Sequence, residues 1–235
     1  MIFKHPDLIF GISKRPENMS FVYGDTKNSL LNRRNFLEAL NINYESLVCA
    51  NQVHGSCIAY ISEADKGRGA ISPDTALVNT DGLITNVKNL PLAIFTADCL
   101  AIFLYDPIKH AIGLIHAGWR GARAGIISKA VESMQEKFNS YPENLLVGFG
   151  PFLKRCCYQV GEEFKDYFTG GLLKAGNHYY LDLAAVVKEQ LLQKKVKETN
   201  ISDSGDCTFC NNDKYFSYRK EGSNTGRLMA VIMLK

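Results

Sequence analysis

Three side chains able to hold a metal ion or attack a substrate stand where apolar runs meet short corners: His54 in NQVHGS, Cys99 in IFTADCLAIF and His116 in LIHAGW. His54 precedes a glycine, His116 is followed two residues later by one, and Cys99 closes a strand-like run directly after Asp98. Two imidazoles and a thiolate would leave one position of a tetrahedral zinc open to water or substrate, as catalytic sites require. The same residues also read as a nucleophile, Cys99, activated by a neighbouring histidine, because a thiolate beside an imidazolium is strongly activated. A third reading makes Cys99 a small buried hydrophobe and the histidines hydrogen-bonded strand ends. Ligation and nucleophilic attack both need a deprotonated sulfur, and spacing does not separate them. Asp98 reads either as an orienting or proton-shuttling carboxylate or as a buried group bonded to backbone.

Other residues invite chemistry more weakly. In HAGWRGARAG, three glycines ease the turn from strand to helix, and N–H groups at the helix start with Arg120 or Arg123 suit an anion. The corner lacks the Gly-Lys-Ser/Thr of a nucleotide-binding loop, and tight packing with solvated arginines is the competing reading. Cys207 and Cys210, in CTFC, have the spacing of a redox pair or half a zinc site, but no second pair with knuckle spacing accompanies them. Adjacent Cys156 and Cys157 read as packing. Arg219 and Arg227 lie near aromatic residues in FSYRKEGSNTGR, a stretch suited either to stacking and phosphate contact or to a solvated edge strand. Of Arg33 and Arg34, which precede an apolar run, at most one is expected to turn inward.

These groups must be carried by a sheet. SLVCANQ, SCIAYI, DGLIT, LPLAIFTA, LAIFLYD and AIGLIHA read as closely spaced strands, and NLLVGFG, KYFSYR and RLMAVIML as later ones. Ile127, Ala130, Val131, Met134 and Phe138 recur at three- and four-residue steps, predicting a helix over 123–139. GEEFKDYF reads as a short helix, and Asp182 as the cap of a longer one whose Leu183, Val187 and Leu191 share a face. Residues 62–73 read as a loop without a domain boundary. Strands in runs, with helices concentrated in the C-terminal half, predict an α+β (mixed α/β) fold: one domain over 1–235, with a sandwich-like sheet core.

Composition sets the outer limits. The 235 residues are 46% hydrophobic and 22% charged, with seven cysteines and a net charge of +3. These are ordinary globular values, and no apolar run reaches the roughly 18 residues of a membrane helix. The small, dispersed charge argues against nucleic acid while tolerating a small anion. The start shows no export signal, so the cytoplasm is expected, where an odd set of cysteines serves packing, metal binding or reactivity more often than disulfides.

Taken in order, NQVHG, DGLIT, PLAIFTADCLAIFLYDP, IGLIHAGWRG, GPFLKRCCYQVG, the LDL before a helix, and CTFC followed by FSYRKEGSNTGR resemble the motifs of the YfiH family. It is also called the laccase-domain or polyphenol-oxidase-like family and is related to peptidoglycan editing factors. The resemblance runs from about residue 47 to the C-terminus. It implies a single-domain sandwich-like fold and one catalytic zinc on His54, Cys99 and His116. It also implies phosphorolysis of purine nucleosides (adenosine, inosine, guanosine, methylthioadenosine) to free base and ribose 1-phosphate, and deamination of adenosine. Departures are the N-terminal pattern, reduced here to SKRPENMS and FVYGDTKNSLLNRR, and Ala101 where the family has proline. They bear on substrate contacts, for which Arg15 and Arg33 are the counterparts.

The mechanisms weigh differently. A multicopper oxidase needs many more imidazoles than the five present, although a one-metal site would take up Cu(II) in vitro by mis-metallation. Phosphorolysis needs cations beside the anomeric carbon, for which Arg33, Arg120 and Arg219 are the candidates, with Asp98 and Cys99 as catalytic candidates. The expected partners are a purine nucleoside and phosphate, with neither nucleic acid nor membrane. The alternative is an amide hydrolase in which Cys99 attacks.

Overall fold

The computed structural model describes residues 5–235, and in it two sheets stack face to face with helices on both outer sides. In chain order the elements are β1 (Leu8–Ile12), α1 (Thr26–Glu38), β2 (Val48–Cys49), β3 (Ile58–Tyr60), β4 (Gly82–Thr85), β5 (Leu92–Thr96), β6 (Leu100–Asp106), β7 (Ala111–Ala117), α2 (Trp119–Arg123) and α3 (Ile126–Phe138). Then follow β8 (Leu146–Phe149), β9 (Gln159–Val160), β10 (Leu172–Ala175), β11 (His178–Leu181), α4 (Leu183–Gln193), β12 (Ile201–Asp203), α5 (Tyr218–Glu221) and β13 (Leu228–Leu234).

One sheet has the order β1-β13-β5-β2 and the other β12-β8-β6-β7-β4-β3, while β10-β11-β9 forms a small third sheet. The pleat sends alternate residues to opposite faces, and β6 and β7 are buried on both. Ala101, Phe103 and Tyr105 of β6, with Ile112 and Leu114 of β7, meet Leu92, Ile94, Ala230 and Ile232 of the facing sheet. Ile102, Leu104 and Ile115 point the other way, onto Ile127, Ala130, Val131 and Met134 of α3 and Val187 of α4. On the far side of the first sheet, Ala93 and Val231 pack against Leu37 of α1. The α+β architecture with a sandwich-like core is therefore as expected, with one addition: a helix from the N-terminal half covers the outer face of the smaller sheet.

That helix was hidden by its own stripe. The residues α1 buries, Ser29, Arg33 and Leu37, follow a four-residue step but only the last is apolar. Arg33 is the arginine that turns inward, while Arg34 is exposed. The helix expected over 123–139 divides at Gly125, whose φ of 72° is left-handed, and all five stripe residues are buried in its second part. Asp182 caps α4, accepting a hydrogen bond from Ala185 N–H at 3.0 Å. The strand expected at KYFSYR is absent. Local bonds from Tyr215 N to Asn211 O and from Glu221 N to Ser217 O close turns there and begin the short α5, so these N–H groups are spent before any sheet edge is reached. No helix among the described residues is long and apolar enough to cross a membrane.

Candidate metal centre

Register brings the three sequence candidates together. β6 and β7 pair antiparallel with Ala101 opposite His116 and Leu100 opposite Ala117, so Cys99, one residue before β6, falls beside Gly118. Cys99 and His116 continue the odd row of β6 and the even row of β7, the rows that face the β1-β13-β5-β2 sheet. Pairing of Gly82 with Ile115 sets Asp81 beside His116, whose N–H donates to the Asp81 carbonyl at 2.7 Å. His54 arrives from the loop between β2 and β3 with φ 59°. One ligand atom from each of His54, Cys99 and His116 lies within 4.8 Å of the others, and the two imidazoles meet edge-on with centroids 4.9 Å apart.

Asp81 holds this arrangement and was not singled out in the sequence, where it is only the first residue of the strand-like DGLIT. Its buried carboxylate accepts His116 Nδ1–H at 2.8 Å, leaving Nε2 as the ligand atom. It also accepts the backbone N–H groups of Val53, His54 and Gly55 at 3.2, 2.9 and 2.7 Å. One carboxylate thus orients one histidine ring and ties down the loop bearing the other. Burial pushes Asp81 upward, but these bonds and the His116 charge outweigh it and hold its carboxyl below the usual range.

Cys99 and His116 perturb one another. Burial raises the thiol, yet His116 and His54 beside it bring it down to about 6. Burial lowers the imidazole, yet Cys99 and Asp81 carry it up to about 9. Each group thus favours the charged form of the other, thiolate beside imidazolium. A cation replacing the His116 proton meets a ready thiolate, two imidazoles and an oriented second shell, so this donor set fits zinc with one face open.

The glycine corner packs onto the site. A Cβ at Gly118 would stand 3.0 Å from Cys99 Sγ and 3.2 Å from His54, so the space at the start of α2 is taken by the ligands themselves. At Gly121 a Cβ would stand 2.8 Å from the Gly55 carbonyl oxygen, which is backbone. Gly121→Ala is therefore expected to push the His54 loop outward, costing about 1–3 kcal/mol and weakening metal retention. Thermal unfolding and metal content after dialysis measure both; if neither changes, the loop is not held by this contact.

The three residues line a cleft of about 1140 Å3. Arg33, Arg120 and Arg219 line it too, joined by Arg227 and by Phe21, Phe95, Trp119, Tyr158 and Tyr218. Arg33 is 3% exposed, held between the rings of Phe21 (3.5 Å) and Phe95 (4.3 Å). Its Nε–H donates to Met19 O at 2.7 Å and its Nη1–H to Gly69 O at 3.3 Å, and among the described residues no carboxylate pairs with it. Burial brings it down to about 10, so it stays charged at neutral pH. Arg120 lies over Trp119, and Arg219 donates from Nη1 to Gln159 O at 2.8 Å. Arg15 is instead paired with Glu221 and is not among the lining residues.

Both oxygens of Asp98 are committed. Oδ1 accepts from Thr208 Oγ1 and Oδ2 from Arg219 N, each at 2.6 Å, while the bond that orients a histidine comes from Asp81. The paired cysteines Cys156 and Cys157 do not pack in the core as read from the sequence: Cys156 is exposed and Cys157 half-buried, facing Cys210 across two loops.

The chain is similar over most of its length to proteins already named and to solved structures. Over 237 residues the chain is 32% identical to "Purine nucleoside phosphorylase YlmD" of Bacillus subtilis, covering 96% of this chain and 85% of that protein. It is 28% identical to "Adenosine deaminase RL5" from an unknown prokaryotic organism, covering 93% and 87%. The crystal structure of YlmD from Geobacillus stearothermophilus superposes with a TM-score of 0.94 at 31% identity, covering 98% of this chain and 93% of that one. These names support an enzyme role, and residues 10–235 match one family throughout: the chain belongs to the family described as "Multi-copper polyphenol oxidoreductase laccase".

Proposed function

We propose that this protein is a zinc-dependent purine nucleoside phosphorylase that also deaminates adenosine. The observation that carries the phosphate half is Arg33, a buried guanidinium on a cleft wall whose bonds go only to backbone carbonyls. Such a cation is stabilised by an anion arriving in the cleft, and a guanidinium suits phosphate. Arg120 and Arg219 line the same space and would share the charge of the attacking phosphate. The aromatic rings beside them suit a purine.

In phosphorolysis a phosphate oxygen bonds to ribose C1′ as the glycosidic C–N bond breaks, and the base leaves with that electron pair and takes up a proton. His54, Cys99 and His116 would hold the metal at the cleft, Asp81 fixes the His116 tautomer, and Asp98 positions Arg219 through its backbone N–H. Zinc bound there would polarise a substrate atom and lower the pKa of bound water toward about 7, which suits attack at purine C6 in deamination. Cytoplasmic placement is part of this reading, and the seven cysteines, all free, are in keeping with it.

The test is an assay of inosine with and without inorganic phosphate. Hypoxanthine and ribose 1-phosphate are expected only with phosphate, and Arg33→Met should raise the phosphate KM by about 10-fold or more. Base release that ignores phosphate sinks the phosphorylase reading.

A second reading has its own observation. The Cys99 thiolate beside a His116 imidazolium backed by Asp81 is also the arrangement of a cysteine hydrolase acting on amides. Chelation separates the two, since it would abolish the zinc reaction and spare the thiol one. Copper oxidation of phenols has less support: among the five histidines His178 pairs with Gln159, and His5 and His110 face Asp7.

A further inference from the structure

We propose that Cys156, Cys157, Cys207 and Cys210 form a second, closed metal site holding one structural zinc, which clips the loop lining one wall of the cleft to the CTFC loop behind it. Their sulfurs lie within 4.8 Å of one another. Cys210 Sγ is 3.8 Å from Cys156 Sγ and 3.4 Å from Cys157 Sγ. Four thiolates about 2.3 Å from a tetrahedral zinc are separated by about 3.8 Å, so the cluster already has nearly the size of the polyhedron. Four ligands leave no open position, unlike the three at His54, Cys99 and His116, and a four-sulfur tetrahedral set selects zinc or iron–sulfur chemistry over Cu(II) or magnesium.

The backbone is prepared for such a load. N–H groups of Cys210, Lys154 and Phe209 donate to the Cys207 sulfur, giving it the second-shell bonds that hold a thiolate ligand in place. Phe152 and Cys207 form a parallel bridge, which fixes the register of the two loops next to the sulfurs. Four thiolates around one zinc carry a net charge of −2, and Lys220 of α5 reaches the CTFC turn with its ammonium to offset part of it. Lys220 Nζ donates to Phe209 O, inside the CTFC turn.

The clip reaches the cleft directly. Tyr158 and Gln159 follow Cys157, Thr208 within CTFC bonds Asp98, and Arg219 donates to Gln159 O. The site is thus a staple for the wall that carries Arg219 and Tyr158. It stands independently of which reaction the cleft performs.

Metal analysis and zinc X-ray absorption on the full chain, purified with reductant, test the assignment. The Cys99→Ser/His116→Ala double variant should keep about one zinc per chain, with four sulfurs at about 2.3 Å and no nitrogen in the shell. Adding Cys207→Ser and Cys210→Ser should remove that zinc, and on their own these two changes should lower the zinc content of the wild type by one. If the cysteine variants fail to fold, the double variant, whose four cysteines are intact, still decides. Iron in place of zinc, a mixed nitrogen and sulfur shell, or metal-free protein with a Cys157–Cys210 disulfide in peptide mapping would each overturn it.

Discussion

His116→Ala is expected to abolish both metal retention at the cleft and turnover, while the chain stays folded. In the proposed site the imidazole would supply one of three ligands, and it is the principal charge beside Cys99, so its loss would leave two ligands and a thiol that returns toward its ordinary range. Second-shell changes alone typically cost 10–100-fold in metal affinity, and removal of a direct ligand should exceed that. The fold should survive because Asp81 keeps its three backbone N–H partners, and the structural cost is about 1–3 kcal/mol for one lost buried bond. Metal content after dialysis, with circular dichroism as the control for folding, checks this. Unchanged retention at the cleft, separated from any sulfur-only zinc by its absorption spectrum, would remove His116 from the ligand set.

Asp81→Asn should be nearly as damaging, through residues it never covalently touches. An amide has one acceptor oxygen where the carboxylate has two, and its NH2 would confront donors: the N–H groups of Val53, His54 and Gly55, and His116 Nδ1–H. His116 loses its tautomer lock and His54 loses its loop anchor together. The expected result is a 10–100-fold weaker zinc affinity and about 3 kcal/mol or more of lost stability, since a buried pair is being broken from one side. Competition against a chromophoric chelator and denaturant unfolding read the two effects separately. Wild-type zinc affinity in this variant would mean that Asp81 serves only the fold.

Features settled by neighbours in the chain were legible beforehand. The α3 stripe, the Asp182 cap and the β6–β7 strand run each depend on residues within one or two turns, where periodicity and capping chemistry operate. Their strand-end corners singled out His54, Cys99 and His116, whose spacing by itself favoured packing over ligation, and the motif resemblance implied the ligand role. Helix α1 escaped because a buried arginine stands where an apolar residue would advertise the stripe. KYFSYR misled because its alternation is that of a strand, while local turn bonds and Asp98 take up its N–H groups.

The sequence by itself determined the fold class, the helices with apolar faces, and a short list of residues with metal or anion chemistry. Only the tertiary structure decided which of them meet. Strand register set Asp81 beside His116, and the packing of α1 carried Arg33 into the cleft between Phe21 and Phe95. Two loops far apart in the chain brought CTFC its second cysteine pair. Residue types and local periodicity report a side chain's affinity for water, metal or anion, whereas convergence depends on long-range pairing between strands and loops, which no local pattern encodes.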